Sequence, residues 1–291
     1  MGTDAIWGAS DAARFIAVPG RDDDKYSRGV LGVITGSVHY PGASVLGVEA
    51  ALRTGLGMVR YLGPERAQEL VLQRRPEVVT AEGRVQAWLI GSGMDFAHRE
   101  DAAEARIAEA LQTTVPLVLD GGALDVAERS SGPVVITPHF RELGRLLDEP
   151  VESIADDPRK WAIEAAQRLG ITVLIKGHTT YVTDGVATVA VASAPVWLAT
   201  AGAGDALGGI LGALVATHSD GVMADPSLLV GLAATASFIH GRAAERASGG
   251  GPLTILDLCE SVPAVVAELV SNRNGSGPGN GSGSGSGSGP A

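Results

Sequence analysis

Cysteine, aromatic residues, positive charge and long apolar runs are all scarce in this chain of 291 residues. The one cysteine, Cys259, cannot form an internal disulfide, and no Cys/His pair stands at zinc-finger spacing. A reducing compartment, no structural metal and an unreactive thiol are therefore expected. The opening "MGTDAIWGASDAARF" lacks a charged leader followed by an apolar run, and no later stretch is apolar for the length of a bilayer span. A soluble, cytoplasmic protein is expected. With 22 Lys and Arg against 33 Asp and Glu, the formal net charge is -11, and no dense basic run occurs. That balance argues against nucleic acid or an anionic membrane as main partner, so any phosphate site must be built locally. The G-x-G-x-x-G and Walker patterns are missing too, which sets aside the two commonest nucleotide-binding loops.

Glycine and aliphatic residues are plentiful: 40 glycines and 45% hydrophobic content suit one large α/β core with many tight turns. "GVLGVITGS" (29–37), "QAWLIGSG" (86–93), "VPLVLDGGAL" (115–124), "PVVITPH" (133–139) and "ITVLIKG" (171–177) read as strands, each apolar throughout and each ending in Gly, Asp or Pro-His. Strands without polar alternation are covered on both faces, which predicts a mostly parallel sheet flanked by helices. After the first of them, Val45, Val48, Leu52 and Leu56 fall on one helical face. "TTYVTDGVATVAVAS" (179–193) reads as a hairpin turning at "TDG". The apolar helix "LLVGLAATASFIHGRAAE" (228–245) suits the core or, second, an oligomer interface. Residues 1–273 are expected to form a single domain, and "NGSGPGNGSGSGSGSGPA" (274–291), nearly pure Gly and Ser, a flexible tail.

In such sheets ligands gather at the carboxyl ends of the strands, and four motifs lie there. "ITGSVHYPGAS" (34–44) is a glycine-rich strand-to-helix turn, equally a plain turn or a binding loop. In "TPHFREL" (137–143), His139 and Glu142 either face a common cleft or form a helix-capping arrangement, with Thr137 as the other candidate cap. "IKGHTTY" (175–181) presents Lys176 either to phosphates or, snorkelling, to solvent. In "TAGAGDALGGILGALVATH" (200–218), a helix start with unpaired amides would attract an anion, and Asp205 either caps that helix or does chemistry beside the anion. Close helix packing is the other account of the glycines there, although interior helix glycines cost about 1 kcal/mol each relative to alanine. An approaching ligand explains at least Gly202 and Gly204.

Taken together these motifs carry a resemblance. "GAGDALGGILGALVA" is similar to the glycine-rich Gly-Asp motif of the ribokinase-like superfamily. The narrower resemblance is to the ADP-dependent NAD(P)H-hydrate dehydratase family, which restores damaged nicotinamide cofactors: "KYSRGVLGVITGSVHYPGASVLGVEAALRTGLGMVRYLGP" (25–64), "TPHFREL" and "IKGHTT" match its segments in order and spacing. "DGGALD" (120–125) and "GSGMDF" (91–96) depart from the family's usual loops, and Asp120 remains a candidate for the site. The family often stands behind an epimerase domain; the roughly two dozen residues before "KYSRG" are too few for one, so the dehydratase alone is expected.

The resemblance implies a ribokinase-like α/β fold and dehydration of (6S)-NAD(P)H hydrate to NAD(P)H with release of AMP and phosphate. It implies ADP or ATP as co-substrate and Mg²⁺. Lys176, Gly177, His178, Thr179, Thr180 and Gly204 would hold the nucleotide, Ala43, Gly93, His139 and Asp205 would face the hydrated cofactor, and Glu142 would help to place the metal through water. Phosphoryl transfer needs a base and donors for the phosphoryl oxygens, roles expected of Asp205 and of an anion hole at the amides of Ala203, Gly204 and Asp205. The helix dipole should keep Asp205 ionised and intrinsically weak as a base. The expected partners are NADH hydrate, NADPH hydrate, ADP and AMP, and further copies of the chain up to a tetramer. A ribokinase-like kinase of a vitamin precursor or sugar, and a catalytically silent adenine-nucleotide-binding protein, are the alternatives.

Overall fold

A computed structural model of the protein describes residues 5–192 and 194–275. Their strands are β1 (Ala5–Ile6), β2 (Val30–Ile34), β3 (Met58–Tyr61), β4 (Ala87–Ile90), β5 (Leu117–Leu119), β6 (Val134–Ile136), β7 (Thr172–Ile175), β8 (Thr180–Thr183) and β9 (Thr188–Val191). Their helices are α1 (Ala9–Ala12), α2 (Pro41–Thr54), α3 (Glu65–Arg74), α4 (Asp101–Leu111), α5 (Phe140–Leu147), α6 (Val151–Asp156), α7 (Pro158–Leu169), α8 (Ala203–Thr217), α9 (Ser219–Ala224), α10 (Leu228–Ser248) and α11 (Ile255–Gly275). The strands form one sheet in the order β1-β9-β8-β7-β6-β5-β4-β2-β3. Only the pairs that β8 makes with β7 and β9 are antiparallel, the hairpin read from "TDG".

Successive side chains point to opposite faces of the sheet, so each strand feeds two cores. Leu31 and Val33, Leu89, Val118, Val135 and Leu174 pack with residues of α1, α2, α8, α10 and α11; Ile34, Ile90, Leu119, Ile136 and Ile175 pack with residues of α4 to α7. The fold is the doubly covered, mostly parallel α/β arrangement that the strand pattern predicted. Most of α10 is buried against its own chain, so the core reading of that apolar helix holds. Among the described residues no helix is long and apolar enough to cross a membrane.

Two boundaries differ from expectation. Helix α2 stops at Thr54 because Gly55 takes a left-handed C-cap, so Leu56 is buried from the loop and not from the helical face. Helix α11 continues through Gly275, into the first two residues of the segment read as a tail; residues 276–291 lie outside the described residues.

One charged cluster ties α2 to its neighbours. Glu49, fully buried on α2, receives Arg53 of its own helix at 2.6 Å, Arg74 at 3.3 Å and the Arg75 guanidinium. Burial works against its charge, but the hydrogen bonds from Arg75, Arg53 and Arg74 outweigh it and bring the pKa down to about 2. A carboxyl whose pKa is depressed on folding adds stability that is complete above its unfolded pKa and is lost as the pH falls through the folded one. Glu49→Gln is expected to cost about 3 kcal/mol at neutral pH, with the difference from wild type shrinking between pH 4.5 and about 2. Urea titrations at several pH values check this; a pH-independent difference would show that the charge is not what Glu49 contributes.

Candidate active site

The sheet order decides which strand ends meet. Running β7-β6-β5-β4-β2, it sets side by side the carboxyl ends that carry Lys176, the Thr137–His139 turn, Asp120, the Ser92–Gly93 turn and the Gly36 loop. A parallel bridge between His139 and Lys176 extends the β6–β7 pairing past the strands themselves. Helix α8 packs against β4, β2 and β5 and brings its N-terminus to the same edge. Its glycines let it come that close: a Cβ at Gly209 would stand 2.1 Å from the Gly47 carbonyl of α2, and one at Gly208 3.2 Å from Leu89. For those two glycines the packing account is the right one.

Gly202 and Gly204 divide differently than expected. Gly202, the N-cap of α8, has φ +91°, and a Cβ there would run into Leu46 at 2.5 Å, so turn geometry and packing require it and not ligand access. Gly204 does face the site: its Cβ position is 3.4 Å from Lys176 Nζ. Ala203 donates its N–H to Thr200 O at 3.3 Å, which corrects the expected anion hole; the amides of Gly204 and Asp205 are the first-turn donors left without an intrahelical partner.

Lys176 is not a solvated lysine. Its Nζ donates to Asp120 Oδ1 at 2.8 Å and lies 3.8 Å from Glu142 Oε2. Asp120 is buried and is held further by Thr137 Oγ1 on Oδ1 at 2.8 Å and Ser92 Oγ on Oδ2 at 2.9 Å. Burial opposes both charges, but each partner holds the other ionised, Asp120 below and Lys176 above its ordinary value.

The same carboxylate acts on Asp205. Burial, first, and the negative charge of Asp120 push the Asp205 pKa up to about 6, against the pull of Lys176. The expectation of a weak base is thereby corrected: a dipole at the helix N-terminus lowers a carboxyl pKa, and here desolvation wins. Asp205 is still mostly ionised at neutral pH, and is a better proton acceptor than an ordinary aspartate.

On the other side of Asp120, Gly93 (φ +69°) turns so tightly that its Cβ position lies 2.4 Å from Ala43 Cβ. The two residues expected at the cofactor are thus in contact, at the start of α2. The Gly36 loop beneath them is pinned by its amide on Ser92 O at 2.7 Å, and by Ser44 Oγ and Tyr61 OH, which both donate to Thr35 O, at 2.9 and 2.8 Å. His139 is the N-cap of α5: Glu142 N–H donates to His139 Nδ1 at 3.1 Å, and His139 N–H donates to Glu142 Oε2 at 2.8 Å. The capping arrangement is therefore real, and the same Glu142 also faces Lys176. Thr137 is not the cap; it serves Asp120. Gly177, His178 and Thr179 form the β7–β8 turn, with Gly177 against Phe140 and His178 exposed, and Thr180 begins β8.

Sequence reasoning gave Ser92, Thr137 (beyond a possible cap) and His240 no role in the site and left Asp120 only a candidate. The first two are polar residues at strand ends, a readable signal. His240 is masked by the apolar run around it; it is buried on α10 with Nε2 unpartnered, and burial, first, together with the Lys176 cation holds its pKa down at about 4, against a backbone hydrogen bond with Ala203. Cys259 is buried, and burial pushes its thiol up to about 12, as suits an unreactive thiol.

Residues 31–256 match the family described as NAD(P)H-hydrate dehydratase. The chain is 38% identical over 278 residues to the bifunctional NAD(P)H-hydrate repair enzyme Nnr of Mycobacterium leprae (strain TN), covering 91% of this chain and 54% of that one. It is 32% identical to the ADP-dependent (S)-NAD(P)H-hydrate dehydratase of Neisseria meningitidis serogroup B, covering 77% of this chain and 79% of the other. The chain spans about half the length of the bifunctional relatives it matches. Its fold is similar to that of the ADP/ATP-dependent NAD(P)H-hydrate dehydratase of Bacillus subtilis, co-crystallized with ATP/Mg²⁺, with a TM-score of 0.80 at 23% identity over 91% of this chain and 99% of that one.

The Lys176–Asp120 pair yields a prediction of its own. Lys176→Met strands a buried carboxylate and is expected to cost about 3 kcal/mol, most of which the double variant Lys176→Met/Asp120→Asn recovers. Urea unfolding of the three proteins measures it; a single variant as stable as wild type would mean that the pair is not a supported element of the fold.

Proposed function

This chain belongs to the NAD(P)H-hydrate dehydratase family, and from that premise we propose that it dehydrates (6S)-NADH hydrate and (6S)-NADPH hydrate at the expense of ADP or ATP. The observation that carries the reading is the meeting, at one sheet edge, of Asp205, the first-turn amides of α8, Lys176 and the Ala43–Gly93 contact. Hydroxide is a poor leaving group, and phosphorylation converts the ring hydroxyl into a good one. In our reading Asp205 accepts the hydroxyl proton as the oxygen attacks the terminal phosphorus of ADP, and AMP departs. The ring nitrogen then donates its electron pair, phosphate leaves with the C–O electrons, and loss of a ring proton from the adjacent carbon restores the dihydropyridine.

Each group has work that its position allows. The amides of Gly204 and Asp205 stabilise charge on the transferred phosphoryl oxygens, and Lys176 adds a cation. The turn at Gly177, His178, Thr179 and Thr180 holds the nucleotide, while Ala43, Gly93 and His139 face the ring. A metal fits through water: Glu142 already accepts from the His139 amide and lies beside the His139 ring and Lys176, so it suits a Mg²⁺ held chiefly by phosphate oxygens, which would neutralise charge on them.

Absorbance at about 340 nm, followed while the protein is mixed with NADH hydrate, Mg²⁺ and ADP, tests the reading. A nucleotide-dependent rise with matching phosphate release is expected; phosphorylated product without free phosphate would favour a kinase instead. Asp205→Asn is expected to keep nucleotide binding and lose at least about a hundredfold in turnover. Because the base must be ionised, wild-type kcat/KM should fall roughly tenfold per pH unit below about 6. A loss of less than tenfold in the variant, or a flat acid limb, would remove Asp205 as the base.

A further inference from the structure

A cavity of about 340 Å³ opens farther along the same sheet edge, over the ends of β2 and β3. Ile34, Leu62, Met94 and Ala103 of α4 are among its apolar lining, and Arg66 of α3 and Arg106 of α4 line it as well. Arg106 donates through one Nη to the Leu62 carbonyl, which fixes its side chain against the cavity. Arg66 stands largely exposed, bridged to Glu69 at 3.1 Å. A narrower pocket shares Pro64, Met94, Glu100 and Ala103 with it and reaches Gly36, on the loop that leads to Ala43.

We propose that this cavity binds the adenosine half of the dinucleotide hydrate, with Arg66 and Arg106 meeting its phosphates. The proposal rests on the dehydratase reading for the position of the ring half, and then follows from the order of the strands. With the nucleotide co-substrate at the β7 end of the edge and the ring at Ala43 and Gly93, the rest of the dinucleotide cannot turn back toward β7. It leaves in the other direction, across β2 to β3. From β4 that is two strand spacings, about 10 Å, a distance that the ribose and pyrophosphate linking the two rings can span. The wall chemistry fits an adenosine: apolar residues for the base, guanidinium groups for phosphate oxygens, and the carboxylates of Glu65 and Glu100 for ribose hydroxyls.

Calorimetry with NADH and with reduced nicotinamide mononucleotide, which lacks the adenylate, tests the subsite apart from catalysis. Wild type is expected to bind NADH at least tenfold more tightly than the mononucleotide. Ala103→Trp, which fills the cavity, should abolish that preference and raise KM for NADH hydrate about tenfold, and Arg66→Glu, at an exposed position, should reduce the preference several-fold without disturbing the fold. Equal affinities in wild type, no binding of either compound, or an unaltered preference in a folded Ala103→Trp or Arg66→Glu protein would each overturn the proposal. A preference for NADH that Ala103→Trp erases and Arg66→Glu reduces, in a protein without turnover of the hydrate, would leave the subsite standing and sink the dehydratase reading instead.

Discussion

The Lys176–Asp120 ion pair is the constraint around which the candidate site is arranged. Taking two charges out of water is costly, and such a pair persists only where further hydrogen bonds satisfy it. Thr137 and Ser92 supply them to Asp120, from the strand ends on either side of it. The pair thereby fixes β4, β5, β6 and β7 relative to one another at the edge where ligands are expected. It also fixes the electrostatics. Asp120 holds the lysine head beside Gly204, and its negative charge, after burial, is the second reason that Asp205 has a raised pKa. A cation held beside the first turn of α8 and a carboxylate with a raised pKa are thus two consequences of one buried carboxylate.

Helix α8 completes the arrangement, and its sequence reflects two separate demands. Gly208 and Gly209 allow it to lie against Leu89 and the α2 backbone, which carries the first turn to the strand ends. Gly204 keeps that first turn open toward Lys176. The packing account of this glycine-rich motif holds for Gly202, Gly208 and Gly209, and Gly204 is the one of the four that faces Lys176. Helix α2, the other partner in this close approach, is anchored in turn by Glu49 and its three arginines, so the Ala43–Gly93 contact at its start has a rigid support.

Much of the fold was legible because apolar runs without alternation admit few structures other than strands covered on both faces. Five strands, the hairpin and the helix after β2 were read in place. The sheet order was not, since periodicity says what a segment is and nothing of which segment lies beside it. That is why Asp120 was no more than a candidate for the site and Ser92 had no role assigned: their importance comes from adjacency. The same limit explains the misjudged basicity of Asp205. The helix dipole is a local property visible in the sequence, whereas the desolvation that overrides it depends on what α8 is packed against. Gly202 was misread for a related reason, because a left-handed N-cap and an open ligand path leave the same letter in a sequence.

His139 shows why capping and function need not compete. A ring nitrogen that accepts the Glu142 amide carries no proton, so the bond at Nδ1 assigns the proton of a neutral ring to Nε2. Glu142 reinforces that choice, since its Oε1 lies 3.5 Å from Nε2 and favours an N–H there. The cap therefore fixes the orientation of the imidazole and leaves its N–H on the Nε2 side, toward Glu142. The parallel bridge to Lys176 sets where that donor stands relative to the cation. A structural motif of α5 thus determines which atom His139 offers, and Glu142 joins it to the Lys176–Asp120 pair.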